Sequence, residues 1–378
     1  MQSGKAKRLI GFAAVIWLFG FVIIPVGATF TSLYIFGDGI STTTNNPTAG
    51  QFYYGLRRSN GRVWVEVLAQ RQGLGANSST NANWSNCTNN WSYYGQFSFN
   101  LAASINNCQR PSDAATALFV VWVCDADFVN DMGTIYPSTN IVTWTNAINQ
   151  SLTNHYRVVT NLYARGARTL VMPNAVDITE IPQYNSLIIT SPAVRNFIRQ
   201  RVIDFNTAFV ATLNRAKANC PGLAIYVPDF FTLLDDVLTN AAAYGVTNAL
   251  YDGVSVDALD DPSLKGVSLN GPGTNYIFWD PSDPTAKVHE VMADTAQQLL
   301  SPPQISQIKA FTGSNRLDVL NAPAGLNGFV EVTTNLAAAS WTAAQTILCT
   351  NTTQPVFVPA SGPQQFYRLR FPFSWTWP

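Results

Sequence analysis

Charge is what this sequence has least of. Of its 378 residues only 12% are Asp, Glu, Lys or Arg, against a usual share of roughly 25%. The 22 basic and 22 acidic residues cancel, so no global field attracts nucleic acid, and nucleic acid is not an expected partner. Histidine is nearly missing: His155 and His289 are the only two. Hydrophobic residues make up 47%, which excludes a disordered chain and supports a sizeable core. Asn, Ser and Thr take over the solvated surface, as suits an exported protein. The length allows two domains, or one large domain plus a small module.

The N-terminus points the same way. Lys5, Lys7 and Arg8 precede an apolar run from Leu9 to Ala28 that ends in Val26-Gly27-Ala28. Residues 1–28 read as a secretory signal cleaved after Ala28, or as an uncleaved membrane anchor. Under either reading the remainder is secreted, cell-surface or periplasmic, and meets a membrane only through that segment. The five cysteines fit this compartment. Cys87 and Cys108 bracket an Asn-rich aromatic loop and are candidates to staple it, whereas Cys124, Cys220 and Cys349 leave at least one thiol over. Sequons at Asn77, Asn83, Asn86, Asn90, Asn149 and Asn351 would accept glycans in a eukaryotic secretory pathway.

From residue 31 to about 300, short apolar runs alternate with longer amphipathic ones. LYIF (33–36), ALFVVWV (117–123), ARTLVMPN (167–174) and LAIYVPDF (223–230) read as buried parallel strands. Helical patterns follow Ser59-Asn60-Gly61, run from Asn140 to Gly166 and from Pro192 to Gly222, and begin again after Pro284. The pattern implies a three-layer α/β domain over 29–302, with its crevice at the carboxyl ends of the strands. Beyond Ser301-Pro302-Pro303 only short strand-like segments remain, so 303–378 is expected to be a small β-sandwich.

Five ordered blocks carry a resemblance. FGDG (36–39), SNGRVWVEVLA (59–69), FVVWVCDADFVND (119–131), FWDPSDPTAKVHEVMA (278–293) and supporting stretches such as LYARGART (162–169) resemble the GDSL esterases and lipases, or SGNH hydrolases. That resemblance implies a flavodoxin-like parallel sheet and acyl-enzyme ester hydrolysis. It also implies a serine nucleophile, a histidine base oriented by an aspartate, and an oxyanion held by backbone and asparagine donors. No cofactor follows from it. Carried onto this chain, the nucleophile position is Gly39, the oxyanion positions are Gly61 and Ala126, the triad aspartate is Asp280 and the triad histidine position is Asp283. Cys124 stands where the family has a glycine. Only Asp280 and Gly61 match the family pattern.

Loss of the nucleophile alone costs roughly a million-fold in a serine hydrolase, and a carboxylate at 283 does not titrate like an imidazole. The expected reading is therefore an exported GDSL-like protein without its chemistry, retained for binding a glycan, lipid or cell-surface ligand. The alternative is an active ester or acyl hydrolase. It would rely on a shifted residue (Ser41, Ser282) or on a cation between Asp38, Asp127, Asp280 and Asp283. His155 and His289 read as structural. The aromatics Trp84, Trp91, Tyr93, Tyr94, Phe97 and Phe99 read either as core packing or as a ligand-gripping loop.

Overall fold

In the computed structural model, which describes residues 30–43, 52–74, 89–185, 189–247, 250–251, 254–261, 272–338, 340–362 and 364–371, the expected buried strands form one parallel sheet. Its order is β1 (Leu33–Gly37), β2 (Leu118–Trp122), β3 (Thr169–Val171) and β4 (Ala224–Tyr226). All five residues of β2 are buried, which requires cover on both faces of the sheet. Along the free edge of β1, Asn90 and Ile35 form a parallel bridge. Ile35 N–H donates to Asn89 O at 2.9 Å, and Trp91 N–H donates to Ile35 O at 2.8 Å. With that segment counted second in chain order, the sheet runs 2-1-3-4-5, the flavodoxin-like order.

Helices fill the connections. They are α1 (Trp64–Arg71), α2 (Ser98–Asn107), α3 (Cys124–Thr134), α4 (Ile141–Ala164), α5 (Pro192–Ala218), α6 (Phe230–Thr239) and α7 (Ala286–Leu300). Helix α4 packs between α2 and α5, and α1 packs against α7. A two-residue hairpin pair, β5 (Leu250–Tyr251) and β6 (Val254–Ser255), precedes α7. The strand expected over 223–230 is shorter than its apolar run. Asp229 leaves it to cap α6, accepting from Thr232 N–H at 3.0 Å, so Phe230 opens a helix.

After Leu300 the chain turns into β7 (Gln304–Phe311), β8 (Ser314–Leu320), β9 (Asn327–Thr333), β10 (Thr342–Leu348), β11 (Thr353–Pro359) and β12 (Phe366–Arg370). Two antiparallel sheets, β10-β9-β12 and β11-β8-β7, enclose a core that includes Leu317, Val319, Val330, Ile347, Val358 and Leu369. No helix among the described residues is long and apolar enough to cross a membrane. The N-terminal segment 1–28, Cys87, Trp84 and the sequons at Asn77, Asn83 and Asn86 lie outside the described residues.

A buried arginine, paired within the first part, also reaches the second. Arg71 Nε, at the end of α1, donates to Asp294 Oδ1 on α7 at 2.6 Å, and Arg71 Nη1 reaches Ala324 O at 3.2 Å. Removing one partner strands the other charge in the interior. Arg71→Met is expected to lower unfolding free energy by about 3–5 kcal/mol in urea titrations. Arg71→Met/Asp294→Leu should recover most of it, and an equal loss in the double variant would refute this account.

Candidate functional site

Strand β1 delivers Gly37-Asp38-Gly39 into a 3-10 turn at the carboxyl end of the sheet. Asp38 caps that turn by accepting from Ile40 N–H at 3.0 Å. A Cβ at Gly37 would meet Ser41 Cβ at 2.8 Å, so only glycine fits the bend. Beneath the turn, Trp64, Trp122 and Phe230 meet edge to face, with centroids 5.1 to 5.7 Å apart. Trp64 Nε1 donates to Ser41 Oγ at 3.0 Å. Ser41 is fully buried and serves the floor of the site.

The space above Gly39 is occupied. A Cβ placed there would lie 3.1 Å from Tyr94 Cδ2 and 3.2 Å from Arg58 Cδ. The Arg58 guanidinium stacks on Tyr94 at 4.0 Å from its centroid, and its Nη1 lies 3.7 Å from Asp283 Oδ2. An arginine on an aromatic ring therefore fills the volume that a side chain at 39 would enter.

Asp280 and Asp283 share a tight loop before α7. Asp280 Oδ1 accepts from the backbone N–H groups of Ser282 and Asp283, each at 2.9 Å, and its Oδ2 accepts from Tyr53 OH at 2.9 Å. Burial, and then the neighbouring Asp280, push the Asp283 carboxyl well above its ordinary value, with Arg58 opposing. The 3.7 Å separation is too long for a hydrogen-bonded ion pair, so burial wins. The 59–61 loop clamps this turn from the other side. Ser59 Oγ donates to Pro284 O at 3.0 Å and Asn60 Oδ1 accepts from Ala286 N–H at 2.8 Å. Gly61 fits because a Cβ there would lie 2.6 Å from Ala286 Cβ.

Ala126 lies buried in the first turn of α3, between Asp125 and Asp127. Asp127 accepts from Ser98 N–H at 2.8 Å, and Asp125 Oδ1 accepts from Val176 N–H at 2.8 Å. Both carboxylates anchor loops. Cys124 donates through its thiol to Pro173 O at 3.3 Å. Among the described residues no group of three or more His, Cys, Asp or Glu is arranged to hold a metal ion.

The histidines stand apart. His289 is fully buried and its Nδ1 accepts the Trp64 backbone N–H at 3.1 Å. His155 packs edge to face on Phe209 at 5.1 Å. Ser282 Oγ donates to Gln183. Of the aromatic loop, Tyr94 is 55% and Phe99 60% exposed. Sequence reasoning missed Arg58 and Tyr53. Neither belongs to a motif, and Tyr53 meets Asp280 across 227 residues of chain.

The GDSL-like Lipase/Acylhydrolase family profile matches residues 33–296. A GDSL esterase/lipase of Arabidopsis thaliana is 23% identical over 313 residues, covering 70% of this chain and 81% of its own. Another from the same plant is 26% identical over 191 residues, 48% of this chain and 50% of its own. In that case the chain spans about half the relative's length. An acetylxylan esterase from Geobacillus stearothermophilus aligns at TM-score 0.41 and 11% identity, over 73% of this chain and 96% of its own. A putative GDSL-like lipase from Parabacteroides merdae aligns at TM-score 0.40 and 10% identity, over 72% and 96%.

Burial gives the site opposing pH dependences. Asp38 is pushed from 3.8 up to about 7 by burial, so between these values the fold binds a proton that the unfolded chain does not, and stability rises as pH falls. His289 is pushed from 6.5 down to about 3 by burial. Over that interval the unfolded chain takes the proton, and stability falls as pH falls. Urea midpoints from pH 7.5 to 4.5 should show Asp38→Asn losing the acid-side gain. His289→Gln should steepen the gain; identical profiles would refute both assignments.

Proposed function

Because the chain belongs to the GDSL-like lipase/acylhydrolase family, we propose that it is an exported member whose ester-hydrolysing groups have been replaced and whose crevice serves binding or assembly. One observation carries this reading: Arg58 and Tyr94 occupy the space above Gly39, at 3.2 and 3.1 Å from where its Cβ would be. A glycine offers no oxygen to acylate, and here even a Cβ would need Tyr94 and Arg58 to give by a few tenths of an ångström. Ala126 offers no side-chain donor to an oxyanion, a contact worth roughly 3–4 kcal/mol where measured in another enzyme.

Substitute reagents are committed elsewhere. Ser41 is buried under Trp64, Ser282 is bonded to Gln183, and His289 holds the start of α1. Export is supported by the basic and apolar N-terminal segment. A glycan, lipid or cell-surface ligand is supported by Tyr94, which stays exposed at the mouth, and by the exposed Phe99 on α2.

The test is turnover of p-nitrophenyl acetate and butyrate. The wild type should stay at background. Gly39→Ser/Ala126→Asn/Asp283→His should gain about 10²-fold or more, and adding Arg58→Ala should raise it further by freeing the serine. Wild-type turnover that Asp280→Asn abolishes, or a fluorophosphonate adduct on the unaltered chain, would overturn the proposal.

A further inference from the structure

Arg57 and Arg58 are neighbours with opposite fates. Arg57 is fully buried and forks onto Glu66, through Nε at 2.7 Å and Nη2 at 2.6 Å. Arg58 has no such partner. Its side chain is 12% exposed, and Asp283 Oδ2 stays 3.7 Å from Nη1, beyond hydrogen-bonding reach. Its Nε is buried with no partner at all. The guanidinium is nonetheless held still. Tyr94 lies against it at 4.0 Å from the ring centroid. The loop is pinned on one side by Arg57 on Glu66 and on the other by Ser59 Oγ on Pro284 O. A planar fork that is fixed in place with its donors unspent suits a carboxylate met at two points.

We propose that the mouth binds its ligand through a carboxylate received by the Arg58 guanidinium, beside the exposed ring of Tyr94. The acids around it agree. Burial holds Asp283 and Asp38 towards their neutral forms. Asp280 is occupied by the N–H groups of Ser282 and Asp283 and by Tyr53 OH. None of the three is a hydrogen-bonded counter-ion to Arg58, so the cation is left for an anion from outside. Arg58 stands outside every block shared with the hydrolase family, and a neutral ester would leave its charge unanswered. Because the stack and the loop already hold the fork, little freedom is lost when an acid binds. The inference rests on the binding reading of the mouth, in which Arg58 and Tyr94 stand above Gly39.

The full chain with isotope-labelled arginines is titrated with glucuronate, and the Arg58 Nε–H signal, assigned by its absence from Arg58→Lys, is followed by NMR. It should shift saturably. Glucuronamide, the neutral counterpart, should bind at least tenfold more weakly. By calorimetry Arg58→Gln should lose at least tenfold in glucuronate affinity. Arg58→Lys keeps the charge without the fork and should fall between the two. Hexanoate carries the same group on an apolar chain. Whichever acid binds tighter identifies the carrier, and either order upholds the carboxylate. An Arg58 signal indifferent to both acids, amide binding equal to acid binding, or glucuronate affinity unchanged in Arg58→Gln overturns the proposal. If Arg58→Gln fails to fold, unchanged affinity in Arg58→Lys does so instead. Ester turnover by the wild type would sink the non-hydrolysing reading and leave the Arg58 shift to decide this one. An inert chain with a silent Arg58 signal would sink this one alone.

Discussion

The arrangement at the mouth turns on one contact, the Arg58 guanidinium held over Gly39 by the face of Tyr94. Such a stack is worth about 0.5–2 kcal/mol depending on its exposure, modest in energy but decisive in space. A side chain at 39 and the stack compete for one volume, because a Cβ would sit within 3.2 Å of both partners. The two features are therefore interlocked. A side chain at 39 obliges the arginine or the tyrosine to give by a few tenths of an ångström, and the arginine also lies 3.7 Å from Asp283. Position 283 and position 39, far apart in sequence, answer to the same guanidinium.

The acids around that guanidinium are set by burial. Burial raises Asp38 and Asp283, so the mouth is lined with carboxyls that are reluctant to ionise. Asp280 is the exception in its bonding. It accepts from two backbone N–H groups and from Tyr53, which satisfies it fully as the anchor of the turn before α7. A residue with that much structural work has reason to persist without any histidine to orient. Gly61 has a similar reason, since the start of α7 leaves no room for a side chain there. The two positions that match the family pattern are thus the two that the local packing requires.

Apart from the two-residue β5 and β6 and the bridge at Asn90, the strands of both parts were legible because each is an apolar or alternating run bounded by turn residues. LFVVW and LYIF declare themselves by composition alone. Helices α2, α3 and α6 were not legible. Helix α3 starts two residues after β2 ends, so the strand's apolar run conceals its beginning, and α6 begins inside a run read as strand until Asp229 caps it. At the site, the positions inside motifs were readable and their surroundings were not. Neither Arg58 nor Tyr94 stands in a motif, and their meeting over Gly39 depends on the path of two loops. The buried state of Ser41 and His289 was equally hidden, since each is fixed by Trp64, one through its indole and the other through its backbone.

What remains is a matter of cost. A buried polar atom without a partner costs about 1–3 kcal/mol, and two such atoms lie by this crevice: Nε of Arg58 and Oδ2 of Asp125. Neither atom holds the fold by itself: Asp125 anchors its loop through Oδ1, and Arg58 keeps its place by stacking on Tyr94. Each such atom is a standing cost to the folded chain. Keeping them makes physical sense where something outside the chain completes their bonding. The proposed binding role supplies that at Arg58: a ligand at the mouth would turn an unfavourable atom into a point of recognition.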